Sequence, residues 1–235
     1  MLSKPDFLDK TAQAVAQRES GDLVASRKSF QDLFVEAEKL KQSSQKSARD
    51  LYIGFMGQWV IQQRLEGKKA LTDALALAQK IYALDTANPV GLRGLSNTLM
   101  NLENYESAEW YLRQALLKIP SSNPVRLGDV QAHLARCLFR TGKLSQALAL
   151  VEQALSNIAK GVDPTIEINP ELVVSVAKTH ALLVKALVLN SRGRTSESLL
   201  LCQSAKKIAK QYQLAFRLQE IRPFIEYLKN KADRE

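Results

Sequence analysis

The side chains best suited to ligate a metal or carry nucleophilic chemistry are two histidines, His133 and His180, and two cysteines, Cys137 and Cys202. Neither pair stands at a motif spacing. The chain has no His-Glu-x-x-His, no Cys-x-x-Cys, no glycine-rich loop that would cradle a phosphate and no Gly-x-Ser-x-Gly elbow. The histidines lie in separate helical patterns, so they are expected as surface or groove residues with no metal between them. The cysteines sit within apolar patterns, as reduced small core residues do. No catalytic residue, metal or cofactor is predicted, and the chain is not expected to be an enzyme.

The stronger signal is recognition. Arg93, Asn97 and Asn101 recur at steps of four, apart from an apolar stripe of Leu92, Leu95 and Leu99. In a later segment Asp129, His133, Arg136 and Arg140 stand apart from Leu134 and Leu138 in the same way. Arginines one turn apart favour a carboxylate, since a charge-assisted hydrogen bond contributes roughly 1.5–3 kcal/mol when partly desolvated. The alternative is that they are solvated, or pair with Asp129 and Glu103, and contribute little.

The elements that must position these residues are helices. Pro and Gly are sparse, at 7 and 10 of 235 residues, and strand-favouring aromatics make up only 6%. The dipeptide Asn-Pro occurs at Asn88-Pro89, Asn123-Pro124 and Asn169-Pro170, each time ahead of a long amphipathic pattern. Asn caps a helix by accepting from an orphan amide, and Pro at the first helical position loses nothing by lacking its N–H. Each opening is followed by an apolar helix, a short polar turn and a second amphipathic helix, which is a helix hairpin.

The segment Pro89 to Pro120 resembles a tetratricopeptide repeat. Leu92, Leu95 and Leu99 occupy the large positions of the first helix and Ser96 the small one. Tyr105 follows the turn, Ala108 stands where the helices cross, Leu112 and Ala115 continue the second helix, and Pro120 ends it. Pro124 to Ile158 repeats the scheme with Leu134, Ala135, Leu138, Gly142, Leu144, Ala147, Val151 and Ala154. Small residues at the crossing let two antiparallel helices approach while large ones interdigitate around them. Less regular units are read on either side, with reference small residues Ser26, Ala74, Ala108, Ala147 and Ser198.

The resemblance implies one all-α domain over residues 1–235. It is a right-handed α-solenoid of about five antiparallel helix pairs, with units near 5–42, 47–86, 89–120, 124–159 and 170–211 and a capping helix at 213–230. In that cap Pro223 is expected to kink or split the helix. Residues 160–169 are expected as a surface loop, and Trp59, Trp110 and Tyr111 as packing residues.

First helices of this family line a concave groove for an extended or helical peptide, so the resemblance places Arg93, Asn97, Asn101, His133, Arg136 and Arg140 there. Arg93 and Asn97 resemble the Lys and Asn of the family's carboxylate clamp. His133, however, replaces an Asn, and Leu183 or Val184 stand where basic residues are expected. The apolar stripe Leu183, Val184 and Leu187 either lies under the C-terminal helix or receives a partner's apolar side chains; coverage is expected.

The implied function is a non-catalytic scaffold or adaptor for a peptide or helix of another protein, one with acidic groups. The net charge of +9 agrees with an acidic partner. The alternatives are a nucleic-acid-binding helical repeat, drawn from that charge and from Lys206, Lys207 and Lys210, and the regulatory module of a larger signalling protein. Nucleic acid is disfavoured, because no base-reading pair recurs per repeat and no stacking aromatics line the stripes. The most apolar run, Ala181 to Leu189, is broken by Lys185, so no membrane insertion is expected, and a cytoplasmic location is.

Overall fold

The computed structural model describes residues 3–162 and 169–232. Among them are eleven α-helices, arranged as sequential antiparallel pairs. The chain divides into two compact units, Met1–Lys118 and Ile119–Glu235. Most of the expected surface loop, residues 163–168, lies outside the described residues.

The first unit holds α1 (Lys4–Glu19), α2 (Leu23–Lys41), α3 (Lys46–Leu65), α4 (Ala70–Leu84), α5 (Pro89–Asn101) and α6 (Tyr105–Lys118). The second holds α7 (Pro124–Arg140), α8 (Leu144–Ala159), α9 (Pro170–Ser191), α10 (Thr195–Gln211) and α11 (Ala215–Ala232). The three Asn-Pro pairs start α5, α7 and α9. Asn88, Asn123 and Asn169 accept from the backbone N–H groups of Val90, Arg126 and Leu172 at 3.0, 3.2 and 3.1 Å. At the other end of the hairpin, the N–H groups of Asn104, Lys143 and Arg194 reach back to the carbonyls of Leu99, Leu138 and Leu189, closing the turns after α5, α7 and α9 alike. Gly142 and Gly193 supply the left-handed residue, at φ 78° and 76°, that such a turn requires.

The crossing residues Ser26, Ala74, Ala108, Ala147 and Ser198 all have zero exposure. Where serine replaces alanine, its hydroxyl donates across the hairpin: Ser26 Oγ to the Ala14 carbonyl and Ser198 Oγ to the Ala186 carbonyl, both at 2.7 Å. A hydroxyl in so dry a place is tolerated because it has that acceptor. α7 and α8 come close at Gly128 in α7. A Cβ there would lie 2.6 Å from the Ala154 carbonyl oxygen and 2.7 Å from Ile158 Cγ1 of α8.

First and second helices are buried to different extents. α6 buries only Ala108, Leu112 and Ala115 and α8 only Ala147, Val151, Ala154 and Ile158, a single stripe at helical spacing. α5 touches α3, α4 and α6, and α9 touches α7, α8, α10 and α11, so each is buried over a wide arc. This explains why α9 is long and apolar enough to cross a membrane by composition: 61% of its apolar window is buried in the fold. Lys185, within that helix, sits at the rim and pairs with Glu152 at 2.9 Å.

Two packing expectations are corrected. α11 is not split at Pro223 but continues to Ala232. Burial of Ile221, Ile225 and Leu228 against α9 and α10 contributes roughly 1.5–3 kcal/mol per side chain, more in sum than the ~3 kcal/mol a helical proline costs. Trp110 is 52% exposed, an edge-on neighbour of Tyr111 at 4.9 Å, because it falls outside the narrow buried stripe of α6. Tyr111 and Trp59 do pack, against Tyr82 at 5.6 Å and Phe30 at 5.5 Å.

Candidate functional site

The predicted site residues divide between the units: Arg93, Asn97 and Asn101 in the first, His133, Arg136 and Arg140 in the second. Each set is described within its own unit.

In the first unit all three lie on α5. Asn97 is not part of an open polar stripe, as its spacing implies. It is 5% exposed, because Ser96, Asn97 and Thr98 are all enclosed in the wide buried arc of this helix. Its Oδ1 is buried and accepts no hydrogen bond among the described residues. One turn on, exposed Asn101 accepts from Arg64 Nη2 of α3 at 3.5 Å, so α3 and α5 share this face. Gln63, beside Arg64, carries a second buried acceptor, Oε1, in the same condition as that of Asn97. Arg93 lies one turn before Asn97 and is half-buried. The outer part of this face therefore carries the Arg93 and Arg64 guanidiniums and the exposed Asn101 amide, with the Asn97 and Gln63 acceptors enclosed beneath it.

In the second unit Arg136 and Arg140 diverge. Arg140 is exposed at the last turn of α7. Arg136 pairs with Glu220 of α11 at 3.5 Å, and Arg217 donates to the same carboxylate at 2.7 Å. Burial by itself would raise the Glu220 carboxyl, but Arg217 and Arg136 outweigh it and hold the group below the usual carboxylate range. The second unit thus already contains one carboxylate bound by arginines of α7 and α11. α11 also settles the apolar stripe: Leu183 is buried in one cluster with Ile221, Ile225 and Leu228, with Leu187 packed against it, while Val184 is buried on the other side with Ala132 and Val151.

The histidines meet, contrary to expectation. His133 of α7 and His180 of α9 have ring centroids 4.2 Å apart, and His133 Nε2 lies 3.6 Å from Asp129 Oδ1. One potential ligand atom from each of Asp129, His133 and His180 falls within 4.8 Å of the other two. His133 stands ten residues after Asn123 and His180 eleven after Asn169, so the two lie at nearly the same depth along neighbouring first helices. That shared depth was the available signal. The cysteines stay apart from this chemistry: both are buried, and burial pushes the Cys202 thiol up to about 12.

No protein-family model matches this chain, and no curated protein matches its sequence. Solved structures do. BtubC (BKLC) from P. vanneervenii is similar over 84% of this chain and 77% of its own, at 16% identity and a TM-score of 0.55. A candidate kinesin light chain of Podosopora anserina with nearly identical TPR-like repeats is similar over 90% of this chain and 99% of its own, at 15% identity and 0.54. The APC/C hetero-tetramer Cut9-Hcn1 contributes a chain matched over 90% of this one and 42% of its own, at 14% identity and 0.50. At such identities these likenesses show the fold alone: an all-α, tetratricopeptide-like helical repeat.

Proposed function

We propose that this protein is a non-catalytic scaffold that binds a peptide or helix of a partner protein along the faces of its first helices, and that acidic side chains are what those faces select. Tetratricopeptide-like folds generally serve as protein-protein interaction scaffolds, which supports the class; the face and the partner's chemistry rest on this chain's own residues. The observation that carries the reading is the face shared by α3 and α5, where the Arg64 guanidinium reaches exposed Asn101 at 3.5 Å and Arg93 stands two turns before it on α5. Arg93 and Arg64 would receive a partner's carboxylates, and the Asn101 amide its backbone groups. In the second unit Arg140, exposed at the last turn of α7, offers the same chemistry, and Arg136 would have to exchange Glu220 for a partner's carboxylate.

A random peptide library displayed on phage and selected on the full chain tests this. Recovered peptides should be enriched in Asp and Glu, and should bind Arg136→Glu/Arg140→Glu or Arg93→Glu at least tenfold more weakly, with helicity unchanged. Peptides without acidic enrichment, bound equally by both variants, would refute the proposal.

A further inference from the structure

His133, which the resemblance places in the peptide groove, clusters with Asp129 and His180, neither of which the peptide reading uses. We infer that this cluster is a binding site for one divalent transition-metal ion. Its construction is local to the second unit. Asp129 and His133 are four residues apart on α7, so their side chains rise from one face of one helix, and His180 comes from the adjacent α9. The three donor atoms already lie within 4.8 Å of one another. An ion at 2.0–2.2 Å from each, the usual range for imidazole nitrogen and carboxylate oxygen, needs donors about 3.3–3.5 Å apart. Rotation about χ1 and χ2 of Asp129 and His133, which turns the His133 ring out of its tilted contact with His180, is what would close that difference.

The donor set chooses the class of ion. Two imidazoles and one carboxylate suit Zn²⁺, Co²⁺, Ni²⁺ or Fe²⁺, and disfavour Ca²⁺ and Mg²⁺, which take oxygen ligands. The site is also graded from rim to interior. His180 is fully buried, whereas the side chains of Asp129 and His133 each keep 15% exposure, so an ion enters past those two and is backed by His180. Three protein ligands leave a coordination position for water. The role is bridging: α7 and α9 already touch, and an ion would tie them together.

The test is titration of the full, untagged chain with Co²⁺ and Zn²⁺ at pH 7.5. One equivalent of Co²⁺ should give visible d–d absorption that Zn²⁺ abolishes. The melting temperature should rise by roughly 5–10 °C at a hundredfold excess of metal over Kd. His133→Gln, at the rim, should fold as the wild type does and lose at least tenfold in affinity; His180→Gln should lose more if it folds. Co²⁺ absorption and melting unchanged on adding metal to the wild type, or equal affinity in His133→Gln, would overturn the assignment.

Discussion

Glu220 of α11 is held by Arg217 of the same helix and by Arg136 of α7, and its folded pKa lies below the ordinary 4.5. A carboxyl depressed in the folded state contributes stability above its unfolded pKa and loses it as pH falls through the folded value. Glu220→Gln should therefore melt below the wild type at pH 6, and the gap should close as pH falls from about 5 to about 3. Circular-dichroism melts across that range check it; a gap that ignores pH would mean the pairing is idle. At this scale the sequence was only partly legible. The spacing that singles out Arg136 says nothing of α11, so its partner Glu220, 84 residues away, was invisible. Asn97 was misread because a stripe at steps of four is exposed only when the helix has one buried face, and α5 has three neighbours. The histidine cluster was missed because search by motif spacing looks within an element, whereas these ligands come from two.

Among the elements, the α7/α8 hairpin, where backbone faces backbone at Gly128, carries the sharpest stability prediction. Alanine in place of a helical glycine normally gains about 1 kcal/mol of propensity. At Gly128 the added Cβ would meet the Ala154 carbonyl oxygen and the Ile158 backbone nitrogen, at 2.6 and 3.2 Å. Backbone cannot swing aside as a side chain can, so overpacking of roughly 1–3 kcal/mol wins. Gly128→Ala should be less stable than the wild type by chemical denaturation, as should Ala147→Leu elsewhere along the same hairpin. A stabilised Gly128→Ala would show that the two helices stand further apart than described. The helix starts were readable because Asn-Pro is a local signal, and the crossings because small residues recur at them. Pro223 misled because its local cost is overridden by burial against α9 and α10, which no local pattern reports.

For the whole molecule, all-α class and tetratricopeptide-like fold were legible because the repeat writes the same packing rule several times. Binding residues follow no such rule, and so the function rests on faces rather than on a motif. The net charge of +9 is spread along the chain, which fits recognition of acidic groups at several points better than one basic block would. Affinity capture from native cell lysate, wild type beside Arg136→Glu/Arg140→Glu and Arg93→Glu, tests the central claim most directly. The account predicts one set of proteins retained by the wild type and lost from the variants at unchanged helicity, with a lower melting temperature only where Arg136, the partner of Glu220, is replaced. Retention of every captured protein by both variants would contradict it.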